Sequence, residues 1–134
     1  MSIWLVVACL LIAFVEKMFG PKNEFATYRD EISVISSETS HRISGSNQWI
    51  TVVGMLTNRS NVGWKEVSVE AQFMDKSGKL IDVIPAQADS YRGVTILPHG
   101  EAAFKVEGRA ARLESEYNER KVRVRWAKDV DAMF

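Results

Sequence analysis

The chain has 134 residues, and its 17 Lys and Arg balance its 17 Asp and Glu, so the formal charge is zero. This removes the usual electrostatic case for a nucleic-acid partner or a strongly acidic one. Cys9 is the only cysteine, which excludes an intramolecular disulfide and leaves the redox compartment unread.

Met1 to Val15 carry no charge, and everything after Glu16 is half polar. A bilayer-spanning helix needs about 20 apolar residues. The run reaches that length over 1–20 if Glu16 and Lys17 snorkel into the interface, with Trp4 and Phe19 at the two headgroup belts and Pro21 stopping the helix. A cleaved signal peptide should instead show a basic start and small residues at the cleavage site. No Lys or Arg precedes the run, and Glu16-Lys17-Met18-Phe19 is too bulky for such a site. Val6-Val7-Ala8-Cys9 has the outline of a lipobox, but the apolar run continues well past Cys9, which is better read as an inert thiol inside an apolar helix. The expectation is an uncleaved, single-span anchor in the cell inner membrane. Lys17, Lys22 and Arg29 on the C-terminal flank favour a cytoplasmic domain by the positive-inside rule, whereas the architecture read below is most at home outside; the domain is expected to be extracytoplasmic.

With the anchor removed, about 110 residues remain, enough for one domain. Residues 21–30 are polar and aperiodic and read as a short stalk. From Glu31 the period becomes two. Ile32 to Ser37 form a first strand that trails into a Ser-, Thr- and Gly-rich segment over 38–47, and Trp49 to Thr57 is the run richest in β-branched residues, suited to a central strand. Asn58 to Gly63 is a turn. Val67, Val69, Ala71 and Phe73 then alternate with Glu66, Ser68, Glu70 and Gln72, as in a sheet with one buried and one wet face. Asp75 to Lys79 reads as a hairpin loop with Gly78 left-handed, and Leu80 to Ile84 as the return strand, ended by Pro85. Val94 to Ile96 and Ala102 to Val106 flank the turn Leu97-Pro98-His99-Gly100. A helical turn is expected within 109–120. The last strand, Lys121 to Trp126, sets Val122, Val124 and Trp126 on one face and Lys121, Arg123 and Arg125 on the other.

About seven short strands separated by turns predict an all-β fold, an antiparallel immunoglobulin-like β-sandwich over 31–128 with a tail over 129–134. The series Gly54, Asn58-Arg59-Ser60, Val67-x-Val69-x-Ala71-Gln72-Phe73-Met74-Asp75, Ser77-Gly78-Lys79 and Leu97-Pro98-x-Gly100-x-x-x-Phe104-Lys105-Val106 resembles the FxLYD-type domains of bacterial envelope proteins. Phe73-Met74-Asp75 stands where that family has Leu-Tyr-Asp, and Ala71 where it has its leading Phe. The resemblance implies a small immunoglobulin-like sandwich on a membrane-anchored protein, and no catalytic residues. Each shared position has a fold role: Gly54 for close approach, Asn58 and Gly78 for turns, Phe73 and Phe104 for the core.

Chemistry-bearing constellations are missing from the sequence. His41 and His99 have no spacing that would force them onto a metal with Met55 or Met74, and the nucleophile elbow G-x-S-x-G does not occur. Asp75, Asp82 and Glu101 sit beside turns, where carboxylates are usually solvated. No enzyme activity, cofactor or metal is expected. The candidate interaction surface is the basic stripe Lys121, Arg123 and Arg125, together with Trp49 and Trp64 near loops. The stripe faces a competing role, cross-strand pairing with Glu66, Glu70 or Glu107. The expectation is a non-enzymatic interaction or accessory module whose partner is another envelope protein, bound by an edge strand or a loop cluster at the far end. The alternative is a small-ligand or metal-binding envelope domain.

Overall fold

The computed structural model describes residues 3, 6–9, 23–85 and 93–131. Two antiparallel sheets face each other. The first has the order β1 (Ile32–Ser44), β2 (Asn47–Asn58), β6 (Glu101–Arg109). The second is built around β3 (Trp64–Met74), with β7 (Glu119–Asp129) along one side, and β4 (Leu80–Ile84) and β5 (Val94–Ile96) pairing opposite ends of the other.

The period-two pattern explains the core. Ile50, Val52, Leu56, Phe104 and Val106 turn inward from the first sheet, and Val67, Val69, Ala71, Phe73 and Val124 meet them from the second. Gly54 sits where Phe104 crosses it from the neighbouring strand: a Cβ there would lie 2.7 Å from the Phe104 ring and would also run into the Ser36 carbonyl oxygen. Gly78 is left-handed at φ 83°, and Asp75 closes the same loop by accepting from the Ser77 and Lys79 N–H groups and the Ser77 hydroxyl. That hydroxyl bond, foremost, holds the Asp75 carboxyl below its usual range.

Three expectations are corrected. The Ser- and Thr-rich segment over 38–47 is strand as far as Ser44, because β2 pairs its backbone whatever its side chains are. Only the two-residue turn Gly45-Ser46 interrupts it, with Gly45 at φ 63° as a primed hairpin turn requires. The helical turn expected within 109–120 is present as a single 3-10 turn, Glu114–Glu116, kept short because Arg109 still pairs with Trp49 and β7 already starts at Glu119. Trp126 does not share the inner face of Val122 and Val124. Arg125 is an extra residue between the Ser68–Trp126 and Val69–Val124 pairs, and this bulge sends Trp126 outward, half exposed, while Ala127 turns in.

The third concerns the segment 21–30, read as a stalk, whose described part packs on the domain. Asn23 donates from its backbone and side chain to Asp129 Oδ2, at 2.9 and 3.1 Å. The one-turn helix α1 (Phe25–Tyr28) buries Phe25, whose ring meets Trp64 edge-on at 5.7 Å, with the Arg29 guanidinium 5.0 Å from its centre. An aromatic inside a polar stretch of sequence thus has a buried destination that only the open end of the sandwich supplies. Of the anchor expected over 1–20, Ile3 and Val6 to Cys9 are described, helical and exposed; the rest of that span lies outside the described residues. No helix among the described residues is long and apolar enough to cross a membrane.

Phe25→Ala should therefore behave as a core truncation. A loss of about 2–4 kcal/mol in urea unfolding is expected; a change within error of zero would mean that the segment is a detached stalk.

Candidate interaction surface

Lys121, Arg123 and Arg125 lie on β7, and the stripe they were expected to form is largely committed to the domain itself. Glu70, directly opposite Arg123 on β3, is buried although it points to the outer face. Its carboxylate takes the Arg123 guanidinium through Oε1 and Arg125 Nε through Oε2 at 3.3 Å, and the Gln72 amide donates to Oε1 at 3.1 Å. Both arginines remain partly in water, so the charge they bring is already well solvated; their structural effect is to keep a carboxylate satisfied beneath two aliphatic stems. Glu107, another acid considered for this stripe, pairs instead with Arg42 and Lys105 on the first sheet. Lys121 stands exposed opposite Gln72.

The two tryptophans separate. Trp64 is fully buried at 0 % exposure, its indole N–H donating to Ser60 Oγ at 3.4 Å, so it has no part in an interaction surface. Trp49 lies half-buried on the outer face of the first sheet with the Arg42 guanidinium 5.5 Å from its ring centre, and Arg109 is its cross-strand partner. Trp126, which period-two reading placed inside, is the exposed aromatic beside the basic residues. The signal for it would have been a bulge, and a bulge has no sequence pattern of its own.

Strand edges decide where a partner strand could add. The Arg29 guanidinium donates to the carbonyls of Val124 and Arg125 at 3.3 and 3.1 Å, and Arg120 donates to the Ser37 carbonyl at 2.5 Å, so β7 and the middle of β1 are blunted by cations. Beyond Ser37 the β1–β2 register runs without interruption to the hairpin turn, where Ser44 faces Asn47. A two-residue turn makes that closing pair a hydrogen-bonded one, so by alternation Arg42, Ser40 and Glu38 also bond to β2. The backbone groups of Thr39, His41 and Ile43 therefore point away from the sheet, and no strand among the described residues pairs with them. This stretch of edge borders a groove lined by His41, Ile43, Gln48, Leu113 and Ser115. Ile43 is 77 % exposed and Leu113 59 %, an aliphatic pair beside an open strand edge.

The far wall of that groove is tied down by Tyr117. Its hydroxyl donates to Asp82 Oδ2 at 2.7 Å and accepts from the Arg112 N–H at 3.1 Å, while the Ala111 N–H reaches the same carboxylate oxygen at 3.0 Å. Burial first, and the Asp82 hydrogen bond second, push the Tyr117 hydroxyl up to about 12. Its ring packs edge-on against Phe73 at 5.2 Å and lies 5.5 Å from His41, whose Nδ1 is buried without a hydrogen-bond partner.

Asp75 and Asp82 serve separate structural partners, Asp75 its own loop and Asp82 Tyr117. Among the described residues no three His, Cys, Asp or Glu side chains are gathered to hold a metal ion. His99 sits in the turn before β6 at φ 55°, at the opposite end of the sandwich from His41. Met55 and Met74 are half-buried.

No family model and no curated protein matches this chain. Two solved structures are similar to it. A DUF1425 family member from Shewanella sp. pv-4 is 12% identical over 72% of this chain and 77% of its own, with a TM-score of 0.39. The structural genomics target SoR45 is 14% identical over 75% of this chain and 85% of its own, with a TM-score of 0.42.

Replacing Arg123 and Arg125 together by Met, which keeps the aliphatic cover over Glu70 but removes its cations, should cost about 3 kcal/mol. Glu70→Gln, which returns two half-solvated guanidinium groups to water, should cost about 1 kcal/mol; equal losses in urea unfolding would contradict this arrangement. Tyr117 has a folded-state pKa above its unfolded value, so its contribution is fully present below pH 10 and is lost as the pH rises through about 12. The unfolding midpoint of Tyr117→Phe, followed from pH 9 upward, should fall less steeply across that window than that of the parent chain.

Proposed function

We propose that this chain is a single-pass inner-membrane protein that displays an immunoglobulin-like sandwich of the FxLYD type outside the cytoplasm and works as a non-enzymatic protein-interaction or accessory module of the bacterial envelope. The immunoglobulin-like reading is supported by the strand arrangement, with β1-β2-β6 facing β4-β3-β7, and by Tyr117, which sits just before β7 with its hydroxyl bonded to backbone a few residues upstream, as in a tyrosine corner. The anchor is supported by the uncharged run to Val15 and by the helical residues Ile3 and Val6 to Cys9, whose apolar side chains are exposed and need an apolar cover.

The observation that carries the interaction reading is the open β1 edge from Thr39 to Ile43 beside the Ile43–Leu113 groove. A partner's extended segment added there gains backbone hydrogen bonds from the edge and side-chain contacts from the two aliphatics. Photocrosslinking from position 43 in the full chain, expressed in a bacterial envelope, should give a discrete adduct that position 66 does not. Ile43→Pro, which removes an outward N–H and leaves the β2 ladder intact, should abolish capture from position 113 without lowering expression. Equal labelling from all three positions would overturn the reading, and a C-terminal alkaline phosphatase fusion without activity would overturn the assignment of side.

A further inference from the structure

The exposed aliphatic side chains at the other end of the sandwich, Leu97 and Val130, have no role in the edge described above. Leu97 is 65 % exposed and Val130 37 %, and Pro98, next to Leu97 in the chain, is exposed as well. Pro98 and Val130 converge over Gly63, where an added Cβ would fall 2.9 Å from Val130 Cγ1 and 3.3 Å from Pro98 Cδ. We propose that this end is seated on the lipid surface, with Leu97, Pro98 and Val130 entering the headgroup region; the proposal rests on the anchored reading of the chain and adds the face that meets the bilayer.

Two observations select lipid as the occupant. The first is reach. Asn23 is fastened to Asp129, the residue before Val130, so the chain arrives at this end. At most about 28 Å of backbone joins Val15, the last residue of the uncharged run, to Asn23. Once that run is in a bilayer, the Leu97 end cannot be far from the surface, and the groove at Ile43 points away from it.

The second is construction. The loop is built so that its polar groups are used inside and its aliphatics are left outside. Asn58 Nδ2 donates to the carbonyls of Val62 and Leu97, at 2.7 and 3.1 Å, and Asn58 Oδ1 accepts from the Ser60 N–H and hydroxyl. The His99 N–H reaches the Ser60 carbonyl, the Gly100 N–H the Leu97 carbonyl and the Val130 N–H the Gly63 carbonyl. With those backbone groups satisfied, the tip can leave water without stranding them. The exposed Arg59, Asn61 and His99 around it are polar side chains of the kind that remain at headgroup level.

The test uses the full chain in vesicles of phosphatidylethanolamine and phosphatidylglycerol. Cys9→Ser removes the native thiol, and Leu97→Cys or, at the far hairpin, Ser77→Cys carries an environment-sensitive fluorophore; both positions are exposed, so neither label disturbs the core. The expected result is flotation with the vesicles, a blue-shifted label at 97 that lipids spin-labelled near the headgroup quench severalfold more than the label at 77, and loss of that difference on Val130→Asp. Flotation with equal quenching at 97 and 77 overturns the seated end while leaving the anchor standing. A blue shift at 97 that spin-labelled lipid does not quench and that disappears on dilution into excess lipid assigns the face to a second copy of the chain and overturns the proposal. Failure to float removes the anchored reading and this inference with it.

Discussion

The buried side-chain amide of Asn58 holds one end of the molecule together. It is the last residue of β2, yet its amide reaches the turn into β3 and the turn between β5 and β6, joining loops that belong to both sheets. A primary amide at 1 % exposure is stable only because its oxygen and nitrogen both find partners. Ser60 extends the network to the Trp64 indole, and Trp64 is the surface on which Phe25 and Tyr28 settle. The short α1 segment therefore docks on a floor that this network keeps level.

The two ends of the sandwich differ in how they are closed. At the Asn58 end an aromatic stack from α1 covers the core. At the other end the 110–117 connection is pinned by Tyr117 and Asp82 while the β1–β2 hairpin runs past the second sheet, and this overhang is what exposes Ile43 and leaves β1 open beyond Ser37 among the described residues. A sandwich needs matched strand lengths to bury both inner faces along their whole course; where one hairpin is longer, its inward positions become surface.

Charge is used conservatively. The basic residues of β7 look in sequence like a patch waiting for an anion, but Arg123 and Arg125 share the buried acid Glu70, and Arg29 and Arg120 direct their donors to strand-edge carbonyls. Cations so placed discourage edge-to-edge association at the points they cover. With net charge zero, a strand added at the remaining open edge would be held by backbone pairing and aliphatic contact more than by electrostatic steering.

Much of the fold is legible in the chain itself. The alternation through Val67, Val69, Ala71 and Phe73, the β-branched run before Asn58, and the Asp75 to Lys79 loop each follow from local rules, because side-chain period and turn geometry are properties of a few neighbouring residues. The uncharged start is equally a property of sequence. Only the tertiary structure decided that Trp64 is core and Trp126 surface, that Phe25 leaves its polar surroundings for the open end of the sandwich, that Glu70 lies beneath two arginines, and that a Ser- and Thr-rich segment is an edge strand. Each of these depends on a bulge, a partner strand or a neighbouring loop far away in sequence, and burial is set by what the rest of the chain brings to a position rather than by the residue that occupies it.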